Sequence, residues 1–226
     1  MAQQPSKGQR SPEDLAPSGL STPRAAAVAG LIFAALFVAS VLILRSYVEP
    51  SSSGLLAAIG DLFGDHMSIV PAYLVPFAGI AFLWFIAVVR DQIGVFEDRF
   101  FSTVFLGSGF VFVAMLFSAA SVVAGLLTLA QPTSSTTDLG QSIARGMFYI
   151  YGARSAGVFT IVASMIALRT GALYRWAALT GLVIGLVLLL SAGSFDWVIL
   201  LFPAWVALVS IVVLVVQVRP ETAEQQ

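Results

Sequence analysis

The chain reads as an all-α polytopic membrane protein, a bundle of six transmembrane helices with a short interfacial helix in the first outer segment. Three observations carry that reading. Hydrophobic residues make up 58% of the sequence and charged residues only 10%, which is not the balance of a water-soluble domain. Uncharged apolar runs of about 20 residues recur, the length that a helix rising ~1.5 Å per residue needs to cross a ~30 Å hydrocarbon core. Those runs are apolar on every side rather than alternating, so the strand pattern of a membrane barrel is excluded.

Residues 1–23 are rich in Gln, Ser, Pro and Gly, lack the apolar content to fold, and are expected to form a disordered cytoplasmic tail. The membrane domain is placed at 24–218 and a short cytoplasmic tail at 219–226. Within the domain the spans fall at 25–44, 67–89, 101–128, 147–168, 176–195 and 197–217. The first ends at Arg45 without a small-residue cleavage site and is expected to be a retained helix rather than a signal peptide. After it, Leu55, Leu56, Ile59, Leu62 and Phe63 recur at helical spacing with Asp61 and Asp65 available to water, the pattern of the interfacial helix. The stretch RDQIGVFEDRF after span two, with Gly94 as a helix stop, reads as a tight turn with its charges at the water boundary; a docking or gating site is the competing reading. Residues 130–144 read as a Gln-, Pro-, Thr- and Ser-rich connection without a motif.

Charge sets the expected orientation. With the N-terminus inside, Lys7, Arg10, Arg24, Arg90, Arg99, Arg169, Arg175 and Arg219 lie on the cytoplasmic side, while only Arg45 and Arg145 fall in outer loops. That bias predicts cytoplasmic N- and C-termini for a multi-pass protein of the plasma (inner) membrane. The outer segments carry Glu49, Asp61, Asp65, Asp138 and Asp196, an acidic face hidden within a net charge of −1.

Small residues line one face of three spans. Span three has Gly107, Ala114, Ser118, Ser121, Gly125 and Thr128; span four has Gly146, Ala153, Gly157 and Ser164; span five has Ala178, Gly181, Gly185 and Ala192. Such faces let helix backbones approach closely, either inside the bundle or between copies. Pro71 and Pro76 in span two and Pro203 in span six each remove a backbone donor and can bend their helices, as in transporters, although packing alone also explains them.

The residue that stands out chemically is Arg154, the one charge within an apolar span. A charge at that depth is costly and takes a partner or a task. Asp196 begins span six at a similar level, and Tyr149 and Tyr151 lie slightly nearer the outer surface. An Arg154–Asp196 ion pair with tyrosine hydroxyls as further partners is the structural expectation, and binding of an anionic substrate or lipid headgroup by Arg154, Asp196, Tyr151 and Tyr149 the functional one.

Catalytic chemistry finds little support. Without cysteine there is no thiolate metal site or iron–sulfur ligation, and His66 beside Asp61 and Asp65 does not complete a metal shell. Ser118, Ser121, Ser155 and Ser164 are span hydroxyls with no lysine or histidine in a span to activate them, and buried carboxylates for proton-coupled transport are missing. No enzyme activity, metal, cofactor or nucleic-acid partner is expected. The expected partners are the lipid bilayer and either further copies of the chain or other membrane subunits. Two functions stay open: a non-catalytic subunit or scaffold of a membrane assembly, and a small permease or channel for neutral or anionic solutes with Arg154 at its outer mouth.

Overall fold

The computed structural model describes residues 22–48, 70–93, 99–129, 133–171, 173–191 and 195–218. The expected interfacial helix, the His66 cluster, most of the N-terminal tail, the C-terminal tail and the centre of the charged turn at 94–98 lie outside the described residues.

All regular structure among the described residues is helical. Helix α1 spans Thr22–Val48, α2 Val70–Ile93 and α3 Arg99–Leu127. Next, α4 (Ser134–Arg145), a π-helical segment (Gly146–Gly152) and α5 (Ala153–Thr170) run on as one rod, which Gly171 closes with a left-handed φ of 69°. Helix α6 covers Arg175–Ser191, and a 3₁₀ turn at Asp196–Leu200 leads into α7 at Leu201–Val218. Five of the helical stretches are long and apolar enough to cross a membrane, and α6, at 17 residues, is a shorter apolar helix. The result is an all-helical bundle of the kind a membrane accommodates.

One predicted loop is a helix. Residues 130–144 read as an irregular connection because Gln, Pro, Thr and Ser dominate them, yet Ser134–Arg145 is a helix, which Thr133 caps by accepting from the Thr136 backbone N–H at 3.3 Å. Gly140 and Ala144 bury one face of α4, and a Cβ added to Gly140 would meet the Leu126 side chain of α3 at 2.8 Å. Close packing through small residues, together with the cap, overrides the weak helix propensity of Ser and Thr.

The main contacts run in chain order and close on themselves. Helix α1 packs on α2, α2 on α3, α3 on α5, α5 on α6, α6 on α7, and α7 returns to α1. Phenylalanine fills the centre of this ring. Phe33 and Phe37 of α1, Phe82 of α2, Phe112 of α3, Phe159 of α5 and Phe202 of α7 are all fully buried. Phe82 touches nearly every side of the cluster, with ring centroids 4.7 Å from Phe33, 5.3 Å from Phe112, 5.1 Å from Phe159 and 5.4 Å from Phe202. Where lipid tails are as apolar as the core, such packing, rather than escape from water, holds helices together; each ring pair adds about 0.5–1.5 kcal/mol beyond area burial.

The prolines are less disruptive than their span positions suggested. Pro71 is the second residue of α2, where the backbone N–H has no partner within the helix to lose, and Pro203 is the third residue of α7, at the junction with the preceding 3₁₀ turn. Pro76 alone lies inside a helix.

Candidate functional site

The long rod brings Asp196 to an arginine, but not to the expected one. Arg145 Nη2 donates to Asp196 Oδ2 at 2.7 Å, and the Arg145 guanidinium carbon stands 5.7 Å from the centroid of the Tyr149 ring. The pair is partly solvated, with the arginine side chain 59% and the aspartate 25% exposed. The Arg154–Asp196 expectation assumed an uninterrupted α-helix with its upper end near residue 147. Instead the rod continues upward through the seven π-helical residues and α4, so the side chain level with the head of α7 belongs to Arg145. Tyr149 belongs to this clamp, and its ring lies against Phe148 with centroids 4.9 Å apart.

Arg154 stands apart. It is exposed and, among the described residues, makes no ion pair or hydrogen bond. Tyr151, one turn above, is 60% exposed, and Ser155, half-buried beside it, donates its hydroxyl to the Tyr151 carbonyl at 2.9 Å. Val158, Ile161 and Met165 continue the same half-buried stripe, whereas Ala153, Ala156 and Phe159 face the core. The predicted site residues therefore separate into two places: Asp196 and Tyr149 with Arg145, and Tyr151 with Arg154.

At the opposite end of the bundle, Arg169 lays its guanidinium over the Phe101 ring at 4.3 Å, tying α5 to α3.

The span serines are placed for structure. Ser121 and Ser155 donate to carbonyls one turn back, at 2.8 and 2.9 Å. Ser164 is fully buried with no hydrogen-bond partner for its hydroxyl, against Gly181 of α6, where a Cβ would meet it and would stand 2.5 Å from Trp205 Nε1. Trp205 itself donates to the Ala177 carbonyl at 3.4 Å. Serine, tryptophan and two small residues thus let α5, α6 and α7 meet closely.

The small-residue faces divide in the same way. Gly157 and Gly185 are in backbone contact, since a Cβ on either would stand 2.8 Å from the other's carbonyl oxygen. Ala178 and Gly181 are also buried, so the span-five stripe is internal packing as far as Gly185, Ala192 lying outside the described residues. The span-three stripe points outward: Gly107, Ala114, Ser121 and Gly125 are exposed, and a Cβ on Gly107 or Gly125 would meet nothing within 4 Å. Thr128, at its end, is exposed as well and donates to the Gly125 carbonyl at 2.8 Å.

Comparison with known protein families, with curated proteins and with solved structures finds no match for this chain.

Proposed function

We propose that this protein is a non-catalytic subunit or scaffold of a membrane assembly, with six transmembrane helices, cytoplasmic termini and a plasma-membrane location. The observation that carries the proposal is the open face of α3. The outward faces of the other helices carry bulky side chains: Val28 and Ile32 on α1, Tyr73, Phe77, Ile80 and Trp84 on α2, and Leu179, Val183, Leu186 and Leu190 on α6 are all exposed. Large apolar side chains are what lipid tails pack against without loss. The face of α3 offers Gly107, Ala114, Ser121 and Gly125 around exposed Phe110 and Val111, a run of small residues with two bulky ones set in it, and small residues are where membrane helices approach one another. With the corresponding stripes of α5 and α6 already used inside the bundle, α3 has the longest exposed small-residue stripe of the three and offers a surface for a further helix, from another copy or from a second subunit.

The competing reading, a solute pathway, finds no support at the bundle centre, where six phenylalanines close the space between the helices. The basic bias supports the orientation, since eight of the 11 Lys and Arg residues fall on the side of the termini. The test replaces Gly107 and Gly125 with leucine. Crosslinking in native membranes should capture the wild-type protein in a complex and should lose that complex in the double variant, while the melting temperature of the purified chain stays within a few degrees. A complex that persists unchanged would remove α3 as its interface.

A further inference from the structure

We infer that Arg154 and Tyr151 form a binding site for the phosphate of an anionic lipid in the outer leaflet. The inference rests on the membrane-spanning reading of the bundle and its proposed orientation but not on the role of α3. Counted at ~1.5 Å per residue from Arg169 at the cytoplasmic boundary, Arg154 stands about 22 Å up, or roughly 8 Å below the outer edge of a ~30 Å core. An extended arginine reaches most of that distance, so its guanidinium arrives close to the hydrocarbon edge, just beneath the lipid phosphates, where a headgroup can dip to meet it.

Three features turn a snorkelling charge into a site. The arginine is exposed at the head of the half-buried stripe of α5 and carries no partner among the described residues, so its donors are available. Among the described residues, the carboxylate at the head of the last helix, Asp196, stands at the level of Arg145, to which it is bonded, rather than at that of Arg154. Tyr151, 60% exposed one turn nearer the outer edge, adds a phenolic donor on the same face. The planar guanidinium can then take two phosphate oxygens side by side while the tyrosine hydroxyl takes a third. Phosphatidylglycerol suits this arrangement better than phosphatidylcholine, whose own ammonium offsets the phosphate charge.

The experiment measures lipid retention by native mass spectrometry of the full chain released from detergent, with phosphatidylglycerol or phosphatidylcholine added. Wild type should retain phosphatidylglycerol preferentially. Arg154→Gln should weaken that retention about tenfold, the scale of one charge-assisted contact, and Arg154→Lys should fall between. Tyr151→Phe, which removes only a hydroxyl and leaves folding intact, should weaken it about two- to threefold. Arg145→Gln, in the neighbouring clamp, should leave it unchanged. Equal retention in Arg154→Gln and wild type overturns the proposal, as does an equal loss in Arg145→Gln and Arg154→Gln. Displacement of the lipid by millimolar inorganic phosphate overturns the lipid assignment and points to a soluble phosphate ester. Because retention is read on the single chain, its outcome is independent of the crosslinking test on α3.

Discussion

At the scale of single residues, the exposed end of the bundle holds two arginines with different surroundings, and their variants should behave differently. Arg145 and Asp196 share a 2.7 Å hydrogen bond, but the arginine is 59% exposed and water screens the pair. Its contribution to stability is therefore about 0.5–1 kcal/mol. A double-mutant cycle with Arg145→Ala and Asp196→Ala, measured by denaturation in detergent, should show coupling of that size, and added salt should reduce it. The cycle with Arg154→Ala and Asp196→Ala should be additive. Coupling in the second cycle and none in the first would restore the pairing that straight helix counting suggests. The sequence makes it legible that the acid at the head of the last apolar run stands near the upper part of the fourth, with an arginine for a partner. It does not reveal which one, because GMFYIYG carries no mark of a π-helix and the polar residues before it conceal that the rod continues. Thr133 as an N-cap, with Leu139, Ile143 and Met147 at four-residue spacing beyond it, is the signal by which α4 could have been found.

Among helices, the glycines of three spans look alike in sequence, and the structure sorts them by what they touch. Gly185 meets Gly157 across the α5–α6 contact, and a side chain there must push two backbones apart. Gly185→Leu should destabilise the protein by at least the ~1–3 kcal/mol typical of overpacking. Gly107→Leu extends into open space and should change the stability of the isolated chain by less than about 0.5 kcal/mol. Thermal unfolding of the two single variants in the same detergent is sufficient to check this; a Gly107 variant as damaged as the Gly185 variant would mean that α3 is covered in the monomer. Small-residue periodicity reports that a helix face is made for close approach. Whether the approaching backbone belongs to the same chain depends on how the helices are arranged around the ring, which no single span encodes. The prolines teach the same lesson, since Pro203 looked like a bend within span six and lies instead in the first turn of α7, where the preceding 3₁₀ turn hands over to the α-helix.

For the molecule as a whole, the arrangement that most constrains function is the closed ring of helices around phenylalanine. Helical character and the presence of several long apolar helices were readable from apolar run length alone, because the hydrocarbon core fixes how long a helix must be. The filled centre was not readable, since the 17 phenylalanines are scattered along the chain and only those turned inward meet. Their meeting bears on transport. A permease needs a route between its helices with polar groups along it; here Phe33, Phe82, Phe112, Phe159 and Phe202 occupy that space, and Arg154 is exposed on α5 rather than set among them. Vesicles containing the wild-type protein should therefore pass neutral and anionic solutes no faster than protein-free vesicles. Phe82→Ala should not open a path either: it removes a ring in contact with four helices and should cost about 3–5 kcal/mol, seen as a lower melting temperature without new flux. The decisive contrary result is saturable flux in the wild type that Arg154→Gln abolishes while the melting temperature is unchanged. That outcome would require the helices to part around the phenylalanine cluster during each cycle, and it would return Arg154 from the lipid surface to the mouth of a pathway.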